Sequence, residues 1–168
     1  MAERELQQQI TSLVCYLWDN YIQMYEAEDI FLMGVGNAYL GVKMLLISRS
    51  DSKDRLSGVV NFVSGNLRPV KSDADETLSS WYRDNSKVYV AADHACWADH
   101  ELTRKVHKKR FGAVERSPER GLNKMMAAHA TQAQDFIMSR VKSGSDDEDE
   151  SGEEGDTTED EGGSVTGR

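Results

Sequence analysis

The chain has 168 residues, enough for one domain, and its formal net charge of −9 is unevenly spread. Residues 145–168 hold eleven acidic residues and one arginine, while the other 144 residues hold eighteen acidic and nineteen basic ones and are near neutral. No apolar run approaches the ~18 residues of a helix that spans a bilayer, and two cysteines, Cys15 and Cys96, suggest a reducing compartment rather than a disulfide scaffold. With no secretory pattern at the start, the expectation is a soluble intracellular protein with no membrane partner.

Residues 3–28 are predicted to form a long amphipathic helix. Leu6, Ile10, Leu13, Val14, Leu17, Trp18, Tyr21, Ile22 and Tyr25 advance by threes and fours and line one stripe, expected to pack on a sheet. Heptads with charged flanks are too few for a coiled coil. Cys15, beside the stripe, reads as a packed thiol.

The chain is organised around the next stretch, Ile30-Phe31-Leu32-Met33-Gly34-Val35-Gly36-Asn37-Ala38-Tyr39-Leu40-Gly41. It reads as a buried strand, a glycine turn and the start of a helix over 37–49, with Asn37 or its predecessor as cap. Gly34-Val35-Gly36 supplies a G-x-G, but the third glycine of a dinucleotide fingerprint would fall on Tyr39. Aligning Gly34 and Ala38 with the small positions of a nucleophile elbow puts Gly36 where the serine belongs. Glycine offers no attacking group. Gly34, Gly36, Asn37 and Ala38 therefore read as a degenerate elbow, whose glycines make a tight turn and let helix and strand pack closely.

A polar linker, Ser48 to Ser52, leads to a second strand over 58–64 and a loop through Gly65 and Pro69. Ser72-Asp73-Ala74-Asp75-Glu76 supplies helix N-cap chemistry for a helix carrying Leu78, Trp81 and Tyr82 that stops near Asn85. A third strand spans 87–91, and this alternation implies right-handed parallel crossovers. In the loop 93–100, His94, Cys96 and His100 invite a zinc reading, but no fourth ligand follows at finger-type spacing. Asp93 and His94 are neighbours that point opposite ways, with no nucleophile in view. No metal, cofactor or catalytic residue is predicted.

Residues 99–110 read as a helix ending in Arg104, Lys105, His107, Lys108, Lys109 and Arg110. The cluster suits nucleic acid, an acidic partner, the chain's own acidic tail, or simply a solvated helix end that the dipole favours. The last is preferred, so direct nucleic-acid binding is not expected. A short fourth strand over 112–116 follows, then Ser117-Pro118-Glu119 as a cap with proline just inside the helix start. A last helix over 121–142 places Leu122, Met125, Met126, His129, Ala133, Phe136 and Ile137 on one face, with His129 packed. Beyond Ser143 the only apolar residue is Val165, so 143–168 is predicted to be a disordered tail, with Asp146, Asp147, Glu148, Asp149 and Glu150 as partner-binding candidates beside Arg104, Lys105, Lys108, Lys109 and Arg110.

The run from Ile30 to Leu46, the strand and loop from Val59 to Pro69, Trp81-Tyr82 with Asn85-Ser86, and the strand leading to Asp93-His94 carry a family resemblance in their order and spacing. Together they resemble the argonaute-binding, Arb-two-like domain at the C-terminus of fungal class II histone deacetylases, over most of residues 5–142. The resemblance implies an α/β-hydrolase-like fold of three layers, a mostly parallel sheet flanked by helices, without hydrolase activity. It also implies a module over 1–142 that helps such enzymes dimerise and contact histones or complex subunits in the nucleus. Two departures stand out. The zinc-dependent deacetylase domain and its ligands are not in this sequence, and the domain is expected to be truncated on its amino-terminal side. A sheet shortened there would expose an edge strand, and such edges tend to pair.

The expected function is a non-catalytic interaction and dimerisation module of a class II histone deacetylase or its complex, in chromatin silencing. One alternative is a free-standing histone-binding protein acting through its acidic tail; its binding would weaken steeply with salt and vanish without residues 145–168. The other is an α/β hydrolase with a displaced nucleophile, for which Ser64 and Ser86 lie near strand ends.

Overall fold

A computed structural model describes residues 1–142 together with Gly167. The predicted tail, including the candidates Asp146 to Glu150, otherwise lies outside the described residues. Four strands, β1 (Ile30–Val35), β2 (Leu56–Val63), β3 (Ser86–Val90) and β4 (Val114–Arg116), form one sheet in chain order, every neighbouring pair parallel. The connecting helices α2 (Ala38–Ser48), α3 (Leu78–Asp84) and α4 (His100–Val106) share one core cluster on one face, the placement that right-handed crossovers advancing one way give. Helix α1 (Ala2–Leu17) lies against α2, and α5 (Leu122–Met138) returns across the opposite face. The predicted α/β class and its three layers are what the chain adopts.

All eight residues of β2 are buried, as expected of a parallel strand covered on both faces. On one side Val59, Val63, Val88 and Val90 pack with Tyr39, Leu45, Leu46, Leu78 and Tyr82 from the crossover helices. On the other, Val60, Phe62 and Tyr89 meet Met125, Ala133 and Phe136 of α5. The predicted inner face of α5 is therefore the face that packs.

Several boundaries differ from expectation. The helix over 3–28 is two pieces, α1 and a π-helical turn over Trp18–Ile22. The wider turn shifts the phase of the apolar stripe. Trp18 faces the core at 2% exposure, whereas Leu6, Leu13, Leu17, Tyr21 and Tyr25 are 41% to 70% exposed. The cause is that α1 packs on a helix rather than on the sheet, and only a narrow strip is covered where Val14 and Ile10 close over Gly41. Asn37 occupies the N-cap of α2 but makes no side-chain cap bond. Helix α3 starts at Leu78, after the acidic run, and α4 stops at Val106, with Lys109–Phe111 in a separate 3-10 turn. Ser117 does not cap α5. Its hydroxyl accepts the Glu119 N–H at 3.1 Å in a local turn, and the helix begins five residues later and ends at Met138.

Asp75 builds the turn before α3. Its Oδ1 accepts the Thr77 N–H at 3.0 Å and hydroxyl at 2.6 Å, and its Oδ2 pairs with Lys53 Nζ at 2.5 Å. The Lys53 bond, then the Thr77 hydroxyl bond, hold its carboxyl down at about 2. A depressed folded-state pKa means stability that is fully present above the unfolded value near 4 and is lost as pH falls towards 2. The denaturation midpoint of Asp75→Asn should therefore lie below that of the native chain at pH about 6, and the gap should close by pH about 2. A gap independent of pH would show that Asp75 acts through its hydrogen-bond geometry alone.

Candidate functional site

Strand β1 ends at Val35 and α2 begins at Ala38, so Gly36 and Asn37 make the whole turn. Gly36 lies at φ 60°, in the left-handed region that glycine enters without steric cost. Its N–H donates to the Phe62 carbonyl at 2.9 Å, continuing the β1–β2 ladder, and its carbonyl accepts the Tyr39 N–H at 3.2 Å. Strand thus passes to helix through a two-residue turn with a left-handed glycine at its first position. A Cβ at position 36 would lie 2.9 Å from Leu122 Cδ1, so α5 covers the point where an attacking group would stand. Asn37 and Ala38 are exposed.

Gly34 is required by packing. A Cβ there would lie 2.5 Å from Asn61 Oδ1 and 2.7 Å from the Tyr39 Cα. Both neighbours are held. Fully buried Asn61 donates from Nδ2 to Tyr82 Oη at 3.0 Å. The Tyr39 hydroxyl donates to the Arg68 carbonyl at 2.6 Å and accepts the Arg68 N–H at 3.1 Å, pinning the loop after β2. Burial pushes the Tyr39 hydroxyl up to about 12 and raises the Tyr82 hydroxyl as well, so both stay protonated.

The other sequence candidates are structural. His94 Nδ1 accepts the Cys96 N–H at 3.0 Å and its Nε2 bonds the Gly65 carbonyl, so neither ring nitrogen is left for a metal. Burial pushes the Cys96 thiol up to about 11, away from the thiolate a metal needs, and His100 stands exposed at the start of α4. Among the described residues no cluster of three such ligands forms. Ser64 is exposed at the end of β2. Ser86 is buried and accepts the Ala113 N–H at 3.2 Å. Among the described residues neither hydroxyl bonds a histidine or a carboxylate.

One constellation escaped sequence reasoning. His129 Nε2 lies 2.9 Å from Ser117 Oγ, and its Nδ1 lies 2.8 Å from Gln132 Oε1. The order hydroxyl, imidazole, amide imitates a catalytic triad. Ser117 is 1% and His129 4% exposed, and Tyr89 stacks on the imidazole at 4.2 Å. No substrate reaches such a hydroxyl. The trio ties the loop after β4 to α5. A serine closing a strand and a histidine on an apolar stripe were its only traces in the sequence.

Two surfaces remain. The first is the row on α1, its π turn and the bend after it, where Leu6, Leu13, Tyr16, Leu17, Tyr21 and Tyr25 are exposed and Tyr16 meets Tyr21 edge to face. The second is basic. Arg104 and Lys105 are exposed on the last turn of α4, followed by exposed Lys108 and Lys109 and half-buried Arg110. Tertiary bonds hold this segment along α3. Arg83 Nη1 donates to the His107 carbonyl at 3.1 Å, Lys109 Nζ to Ser80 Oγ at 3.2 Å, and the Val70 N–H to the Arg110 carbonyl at 2.6 Å. Lys71, Lys108, Lys109 and Arg110 line a recess of about 650 Å³ there, with Asp73 and Glu76 also on its wall.

Comparison with known proteins places these features in a family. Residues 1–144 match the model of the Arb2-like domain. Histone deacetylase HDA1 of Saccharomyces cerevisiae is 38% identical over 138 residues, covering 81% of this chain and 19% of that protein. Histone deacetylase clr3 of Schizosaccharomyces pombe is 30% identical over 138 residues, covering 82% and 19%. The chain thus spans about a fifth of the length of the curated relatives it matches. Among solved structures, a histone deacetylase from Saccharomyces cerevisiae superposes with a TM-score of 0.69 at 33% identity, over 79% of this chain and 52% of that one. The structure of the histone deacetylase Clr3 gives 0.70 at 28% identity, over 80% and 22%.

Proposed function

The chain belongs to the Arb2-like domain family of fungal histone deacetylases, and on that premise we propose that it is a non-catalytic interaction and dimerisation module of a class II deacetylase, working on chromatin in the nucleus. The observation that carries the reading is the exposed apolar row on α1 and its π turn. Large apolar side chains exposed together on one helical face support an interaction site. The elbow supports the non-catalytic part, since it has no attacking group and Leu122 closes over the position. The occupant we assign to the row is a second copy of the domain, which leaves the rest of the surface for histones or complex subunits.

Light scattering across a concentration series tests this. The full chain should reach twice its monomer mass at tens of micromolar, and Leu6→Glu/Leu13→Glu should hold the monomer mass with unchanged circular dichroism. Both sites are exposed, so the folded monomer tolerates the charges. A native chain that stays monomeric, or a dimer indifferent to the two glutamates, would sink the assignment of this surface. Turnover of a simple ester that survives repurification would sink the non-catalytic reading.

A further inference from the structure

We propose that the acidic run 146–161 docks on the basic ridge of its own chain, along α3. The run holds eleven acidic residues in sixteen positions, and the segment 104–110 holds five arginines and lysines in seven. Among the described residues none of Arg104, Lys105, Lys108, Lys109 and Arg110 has a carboxylate within salt-bridge distance; the described salt bridges are Arg49–Asp19, Lys53–Asp75 and a long Lys71–Asp73 contact at 3.9 Å. Arg110 Nε is buried without a hydrogen-bond partner.

The described end of the chain sets where the run starts. Arg140 Nη1 donates to Asn85 Oδ1 at 2.6 Å and Nη2 bonds the Asp84 carbonyl, so the end of α5 lies one side chain's reach from the last turn of α3, and the chain then runs to the start of β1, where the Lys142 N–H donates to Asp29 Oδ2 at 2.9 Å. Arg83, on that same turn, holds the His107 carbonyl at 3.1 Å. The ridge then follows α3 back past Ser80, which Lys109 bonds, to the recess at Lys71 and Glu76. Asp146 is four residues past Lys142 and Glu161 nineteen, and an extended chain covers about 3.3–3.6 Å per residue, so the run has length to cross from the start of β1 back to α3 with Lys142 still on Asp29. A short tether of this kind sets an effective concentration of about a millimolar, which favours the chain's own carboxylates over those of a free partner.

Zero-length carbodiimide cross-linking of the full chain, with the linked peptides mapped, tests the docking. At low salt Lys71, Lys108 and Lys109 should link to residues 146–161 in a product of monomer mass, with a yield independent of protein concentration. Raising sodium chloride from about 0.02 M to about 0.5 M should cut that yield about fivefold or more, because the screening length shortens several-fold. Arg104→Glu/Lys105→Glu should lower the same links several-fold, although both residues are exposed and neither is one of the three linked lysines. Links found only in a covalent dimer would put the run on another copy and overturn the proposal. Links spread evenly over Lys43, Lys87 and Lys124, or indifferent to salt, would overturn it as well.

Discussion

Gly34→Ala should cost about 3 kcal/mol of folding stability, at the upper end of what one added methyl does in a packed core. The new Cβ would lie 2.5 Å from Asn61 Oδ1 and 2.7 Å from the Tyr39 Cα, and neither can retreat. Asn61 is tied to Tyr82 in a fully buried bond, and the Tyr39 hydroxyl is tied to the Arg68 backbone. Relief therefore requires α2 to move off β1, opening the contact between Tyr39, Leu45 and Leu46 and the sheet. Gly65→Ala is the control. Nothing lies within 4 Å of a Cβ there and the position takes no left-handed φ, so its urea midpoint should match the native one. Equal midpoints for the two variants would show that the close crossing of α2 on β1 is not what Gly34 serves.

The same stretch shows what a sequence can reveal and what it cannot. An apolar run closed by Gly34-Val35-Gly36 and followed by helical spacing is a local signal, and strand, turn and helix all form there. The uninterrupted apolar character of β2 is equally local and follows from burial on both faces. Other features depend on which element lies opposite. The ligand-type residues His94 and Cys96 stand close in sequence, yet only the fold shows that Gly65 and the Cys96 N–H occupy the ring. Ser117 and His129 are twelve residues apart and meet because α5 turns back across β3. The basic cluster was visible as composition. Its break after Val106, which lays Lys108 to Arg110 along α3, comes from the Arg83 and Val70 bonds and has no sequence signature.

The sharpest such separation is on α1, where periodicity weights Leu13 and Trp18 alike. Trp18 should dominate. Trp18→Ala is expected to cost about 3–5 kcal/mol, the usual range for a buried aromatic, while Leu13→Ala should stay within about 0.5 kcal/mol. Trp18 is 2% exposed and belongs to the core shared with α2, β1 and β2, whereas Leu13 is 58% exposed. The π turn is what places it there. Gln23 N–H closes on the Trp18 carbonyl at 2.9 Å, and Asp19 beside it takes a bidentate pair from Arg49 at 2.8 and 3.0 Å, fixing the turn on the end of α2. Urea denaturation at low protein concentration reads the two costs in the monomer. At high concentration a cost for Leu13→Ala should emerge, because a partner that covers the row stabilises only the folded chain. A Leu13→Ala cost equal to that of Trp18→Ala at every concentration would mean that the stripe itself docks α1, leaving no free row for a second copy to cover.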